Sequence, residues 1–272
     1  MEKQFPTGEA VFSHDFVVTP ESCDEGAGLS PLGVFTMLQS IATQHAELLG
    51  VGGAAMAKRG AFWLTVHNRV DFYDRAYLMQ TVRASTWAEA CEERDVRCFR
   101  SYTLRCGDKL VAVGRTQWAV LGAAGRVVPF GQSGFPQDYP FPQQAAIEEK
   151  PQRFHDDFAP EDAVETHTVR STDIDMGRHM NNVAYVRLLL GQFSAKQLAS
   201  GAIRSIELHY GAPCLEGEAL TVYRRQTAER TLLAVGRPDG KKAVLASVTF
   251  AGEEEHTSEL QSPLQSRMPS SA

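Results

Sequence analysis

The chain has 272 residues, 43% of them hydrophobic and 22% charged, with a formal net charge of −6 at pH 7. That balance argues against nucleic acid or an anionic membrane as a main partner, because both reward clustered Lys and Arg. No apolar run approaches the roughly 18–20 residues of a membrane span. The start, Met1-Glu2-Lys3-Gln4-Phe5-Pro6, has neither the apolar core nor the small-residue cleavage site of a signal peptide, so a cytoplasmic location is expected. A chain of this length suits one large domain or two of roughly 120 residues. It can bury about 70–75% of its unfolded surface, so no metal or disulfide is needed to hold it together. Its cysteines, Cys23, Cys91, Cys98, Cys106 and Cys214, are odd in number, lack paired spacing, and read as reduced thiols.

The first predicted element is a helix. Ser30 is a good N-cap, Pro31 fits the first helical position, and Gly50 offers a stop. Between them Val34, Phe35, Leu38, Ile41, Ala42, His45 and Leu49 recur at helical spacing, which makes His45 a core histidine. Strands are predicted over Trp63–Tyr73, Thr81–Trp87, Val96–Leu104 and Leu110–Leu121. In the first of these, Leu64, Val66, Val70 and Phe72 share one face and His67, Arg69 and Asp71 the other. His67 and His209 read as sheet residues. Arg100, Arg105, Lys109 and Arg115 read as a solvated basic face, and Trp63, Trp87 and Trp118 as core or pocket wall.

Residues 127–160 change character. Pro129, Pro136, Pro140, Pro142, Pro151 and Pro160 punctuate a stretch without period, which reads as an extended surface linker. The pattern then restarts with a strand over Thr166–Arg170 and a helix from Asn181 to about Leu198. Strands follow over Ile203–Tyr210, Ala219–Thr227, Leu232–Arg237 and Ala243–Phe250, the last two joined by the hairpin signal Pro238-Asp239-Gly240-Lys241. A helix followed by four strands thus occurs twice, about 150 residues apart at the helix. The expected organisation is a first half over 8–126, a linker over 127–160, a second half over 161–252 and a disordered tail over 253–272.

Chemistry is concentrated in Ser171-Thr172-Asp173-Ile174-Asp175-Met176-Gly177-Arg178-His179-Met180-Asn181-Asn182, between a strand and an amphipathic helix. Asp175 and His179 could meet near the helix N-terminus, where unpaired N–H groups can hold an oxyanion. The imidazole handles protons near neutral pH, and the carboxylate can orient it or a water. The same residues would also serve simply to order a helix start, and Asn181 and Asn182 are divided between capping and catalysis. Cys214 reads as a small buried hydrophobe rather than a nucleophile.

The pattern Asp-x-Asp-x-x-x-His-x-Asn-Asn from Asp173 to Asn182 resembles the plant and bacterial acyl-acyl carrier protein thioesterases. In the first half Leu38-Gln39, Ala42-Thr43, His45-Ala46, Leu49-Gly50, Gly60, Trp63-Leu64-Thr65, Thr86-Trp87, Arg100 and Trp118 are similar to the same family, so the likeness covers roughly residues 10–250. The resemblance implies an α+β double hot-dog: two antiparallel sheets, each wrapped around its long helix, packed side by side as a pseudo-dimer. It implies catalytic Asp175 and His179, with Asn181 and Asn182 beside them and Gly177, Trp63 and Cys214 toward the substrate. The family's Asn two residues after the Asp is Gly177 here, its Glu falls on Pro213, and Cys214 stands at the Cys of plant members. Glu216 and Glu207 are the nearby carboxylates.

The implied reaction is hydrolysis of fatty acyl-[acyl carrier protein] to free fatty acid, with no metal or cofactor and with a homodimer as one assembly open to the chain. The rivals are an acyl-CoA thioesterase and, because of Gly177 and Pro213, a non-catalytic acyl- or carrier-binding relative. A hot-dog dehydratase, for which Glu47 on the first helix is a weak candidate carboxylate, is less favoured.

Overall fold

The computed structural model describes residues 5–251, and the tail expected to be disordered lies outside the described residues. Helix α1 spans Pro31–Leu48; the Ser30 hydroxyl accepts the Gly33 N–H at 3.0 Å, and Gly50 turns the chain away at φ 69°. The stripe Val34, Phe35, Leu38, Ile41, Ala42 and His45 is buried, as its spacing predicts. Before it comes strand β1, Phe12–Val17, and after it the short helix α2, Gly53–Lys58. The sequence reading missed both, since β1 is an edge strand carrying Ser13, His14 and Asp15 and α2 is only 6 residues long.

Strands β2 (Phe62–Phe72), β3 (Thr81–Ala88), β4 (Cys98–Cys106) and β5 (Lys109–Leu121) follow, then the two-residue β6, Val127–Val128. The second half contains β7 (Ala163–Thr168), α3 (Asn182–Leu190), α4 (Ala195–Ala199), β8 (Ile203–Tyr210), β9 (Ala219–Gln226), β10 (Arg230–Gly236) and β11 (Lys242–Phe250). The single helix expected over Asn181–Leu198 is therefore two. Gly191 ends α3, and Ser194 opens α4 through a capping box with Gln197.

The strands form one sheet of 11 in the order β1-β3-β4-β5-β2-β8-β11-β10-β9-β7, with β6 beside β5. Each half repeats the other's order, and all pairings are antiparallel. The two sheets expected side by side are thus joined edge to edge, through β2 and β8, where Arg69 opposes Glu207 and Val70 opposes Ile206. Helices α1 and α3 touch on one face of this sheet, and residues of both halves share one hydrophobic cluster. A bulge between Thr65 and His67 changes the phase of β2. Trp63 and Thr65 consequently join Asn68 toward α1, while Leu64, which simple alternation puts on one face with Val66 and Val70, is 41% exposed.

The Pro-rich segment is extended, but it is a packed strap rather than a free linker. Phe130, Tyr139, Ala146 and Ile147 are buried. It crosses the outer face strand by strand: Gln144 O accepts from Trp87 Nε1 at 2.9 Å, Ala146 N–H donates to Ser101 Oγ at 2.9 Å, and Gln152 N–H donates to Glu207 Oε1 at 2.7 Å. Trp87 is core beneath this strap. The basic face also breaks up. Arg115 is clamped by Glu89 at 2.6 Å on the outer side, and Arg100 is buried toward α1, where its Nη1 donates to His45 Nδ1 at 2.8 Å and Thr86 Oγ1 at 3.3 Å. A guanidinium can only donate, so His45 Nδ1 accepts and the imidazole proton sits on Nε2. Burial, and then the Arg100 charge, push His45 from the ordinary 6.5 down to about 3.

Two outcomes follow from this packing. The Tyr139 hydroxyl joins Ala88 N–H (3.1 Å) to Ala10 O (2.5 Å) in the interior, so Tyr139→Phe leaves both unpaired. It is expected to cost about 1–3 kcal/mol; an unchanged thermal melt would show that the strap contributes nothing. His45, neutral when folded, makes stability complete above pH 6.5 and erodes it as pH falls toward 3. The slope is at most about 1.4 kcal/mol per pH unit. Urea melts between pH 7 and 5 should show this fall, and His45→Asn, an acceptor that cannot protonate, should flatten it.

Candidate active site

The segment before α3 is ordered by its own side chains. Asp173 is buried, and its Oδ2 accepts the Arg170 N–H at 2.9 Å and lies 3.1 Å from His167 Nε2. The first Asp of the motif therefore ties the loop to β7. Beyond it the chain folds back tightly: Ile174 bridges Met180, Asp175 N–H donates to His179 O at 3.0 Å, and Arg178 N–H donates to Asp175 O at 2.9 Å. Arg178 takes the left-handed conformation at φ 62° to close this loop. Residues 175 and 179 are thereby set across from one another.

Asp175 Oδ1 accepts the Gly177 N–H at 2.8 Å, an Asx turn, and Oδ2 accepts from Asn181 Nδ2 at 3.3 Å. A Cβ on Gly177 would stand 3.0 Å from Asp175 Oδ1 and 3.8 Å from His179 Nδ1, so this glycine occupies the gap between the two groups. No side-chain hydrogen bond joins Asp175 to His179, and both residues are exposed.

Asn181 is the N-cap of α3, its Oδ1 accepting the Val183 N–H at 2.8 Å, while Ala184 N–H and Tyr185 N–H turn back to Asn181 O. The expected row of free amides is thus mostly satisfied. Among the described residues only the Asn182 N–H at this helix start lacks an acceptor. Asn182 reaches into the first half, donating from Nδ2 to Thr65 Oγ1 at 2.8 Å.

A cavity of about 640 Å³ opens here. Asp175, Met176, Gly177, Asn181, Asn182 and Val183, with Tyr210 of β8, form its second-half wall. Phe35, Leu38 and Ala42 of α1, Met56 of α2, Trp63 of β2, Tyr102 of β4 and Trp118 of β5 carry it into the first half. Met176, 86% exposed, marks the rim, and Arg100, 8% exposed, lies deep. The Trp63 indole is anchored by donating from Nε1 to Val51 O at 2.8 Å.

Of the residues singled out in the sequence, Asp175, Gly177, Asn181, Asn182 and Trp63 line this cavity. The His179 side chain stands beside Gly177, outside the lining. Cys214 does not line it at all: it is fully buried in the core behind Tyr185, and burial raises its thiol pKa. Neither suggested carboxylate replaces Pro213. Glu207 faces the strap with its Oε1 2.8 Å from His67 Nε2, and Glu216 is absent from the wall. The sequence reading missed Thr65, Asn68 and Tyr210 as wall residues, since only the β2 bulge and the β2–β8 pairing bring them there.

Residues 159–251 match the family model of the acyl-ACP thioesterase C-terminal domain. The fold is similar to that of an acyl-ACP thioesterase from Bacteroides thetaiotaomicron, at TM-score 0.79 and 22% identity, covering 89% of this chain and 98% of that one. It is similar also to the 12:0-ACP thioesterase from Umbellularia californica, at TM-score 0.73 and 18% identity, covering 90% and 99%. Among curated proteins, none matches by sequence. These likenesses establish the double hot-dog fold, and within it residues 159–251 match the acyl-ACP thioesterase C-terminal domain.

Proposed function

We propose that the chain hydrolyses the thioester between a fatty acyl group and acyl carrier protein, releasing free fatty acid and so ending chain growth. One observation carries the reading: a deep, largely apolar cavity in the first half has the Asp175–Asn182 segment of the second half at its mouth. The first half thus shapes the acyl tunnel and the second supplies the chemistry. The carrier protein, rather than coenzyme A, is favoured by the family match over the catalytic half. Among the described residues no helix is long and apolar enough to cross a membrane, which suits a cytoplasmic enzyme acting on a carrier-bound chain.

In this mechanism Asp175 takes a proton from water as the water oxygen attacks the carbonyl carbon. Its carboxylate is fixed for that role by Gly177 N–H and Asn181 Nδ2. Negative charge moves to the carbonyl oxygen, where the free Asn182 N–H and the positive end of α3 meet it. Collapse breaks the C–S bond and the thiolate takes a proton from the His179 imidazolium at the rim. Asp175 then passes the proton it took from water back to His179 through solvent at the open mouth, so both groups return to their starting states.

A second reading, an acyl-binding protein without turnover, is favoured by Pro213. That residue is exposed, and no neighbouring carboxylate takes the place of the family's Glu. Free-acid release from acyl-carrier substrates over a chain-length series distinguishes the two. Turnover is expected in the wild type, with Asp175→Asn and His179→Ala each lowering kcat by about 10²-fold or more. Undiminished turnover in both variants would refute the site, and retained acyl chains with no hydrolysis above background would establish the second reading. Acyl-CoA of equal length should be the poorer substrate; a strong preference for it would overturn the choice of carrier.

A further inference from the structure

Among the described residues Arg100 is a buried cation without a counter-ion. It is 8% exposed, lines the cavity, and its guanidinium donates to His45 Nδ1 and Thr86 Oγ1. The ion pairs of the described residues include none to it. His45 offers no negative charge, being neutral with Nδ1 as acceptor. Two other charged residues line the cavity. Glu89 is taken up by Arg115 (2.6 Å) and Ser101 (2.6 Å), and Asp175 stands at the mouth. A guanidinium presents five donors, and desolvating it without an anionic partner is costly. A purely hydrocarbon tail in this cavity would leave that cost unmet.

Its position is set by strand register. Asn68 on β2 opposes Thr116 on β5, which opposes Arg100 on β4. Two strand spacings therefore separate Arg100 from β2, about 10 Å. Strand β2 also carries Thr65, the residue that Asn182 holds at the reacting end. Arg100 thus faces the far part of a bound chain, away from the thioester.

We propose that Arg100 forms a polar subsite at the inner end of the cavity, which selects acyl groups carrying an oxygen acceptor remote from the thioester, a carboxylate giving the largest effect. The inference rests on the reading of the cavity as an acyl tunnel, and binding without turnover tests it separately. The probes are the primary amide of dodecanoic acid and the half-amide of dodecanedioic acid, which share a neutral head and a length and differ at the far end. Calorimetry on the wild-type full chain should find the half-amide bound at least about tenfold more tightly, as expected for one hydrogen bond to a charged group.

Arg100→Met should abolish or invert that ratio, and Arg100→Lys should retain part of it. Equal affinities in the wild type, or a ratio unchanged in Arg100→Met, would overturn the proposal. The wild-type ratio decides the matter even if the methionine variant fails to fold. Discrimination between the amides in a protein that hydrolyses no thioester would sink the hydrolase reading and keep the subsite. Turnover of plain dodecanoyl-carrier protein without discrimination would do the reverse.

Discussion

The antiparallel pairing of β2 with β8 is the constraint on which the rest of the molecule depends. Each half alone would end in an open strand edge, and joining the two removes both edges at once. The seam also fixes where the Asp175–Asn182 segment falls. With Val70 opposite Ile206 and Asn68 opposite Leu208, the start of α3 lies over β2 of the other half, and Asn182 reaches Thr65. The cavity and the Asp175 loop share a wall because of that register. A shift of one residue would turn every inward side chain of β8 outward.

Across the outer face the strap reinforces this seam. Its contacts pass from Trp87 on β3 to Ser101 on β4 and finally to Glu207 on β8, so the connection between halves is also a brace over their junction. Glu207 illustrates the division of labour between faces. It is a buried carboxylate close in sequence to the candidate site, yet the alternation of β8 assigns it to the strap and to His67. The polar groups inside are fewer and each is matched differently. Thr116 donates to Asn68 at 3.2 Å, and His45 accepts from Arg100 as a neutral ring.

Much of this was legible in the residues. The Ser30-Pro31 start and the apolar stripe to His45 specified α1, and β8 coincides with its predicted bounds because Ile203–Tyr210 is a strand-forming run between turn residues. The Asp175–Asn182 segment stood out for its density of chemistry-bearing residues, and five of the seven residues singled out line one cavity. Other features were hidden. The bulge at Thr65 leaves no mark in the alternation of β2, and the end of α3 at Gly191 reflects a second helix that Ser194 caps for itself. Arg100 reads as one member of a basic strand face until its neighbours are known.

Local sequence by itself determined the two helix-then-strands repeats, the capped start of α1 and the tight Asp175–His179 loop. Short-range hydrogen bonds and side-chain periodicity suffice for these. Long-range packing set the rest: that the two sheets are one, that Cys214 lies behind the wall rather than on it, and that a guanidinium with no counter-ion among the described residues faces the cavity. Those depend on which strand edges meet and in what register, and such contacts join residues far apart in the chain.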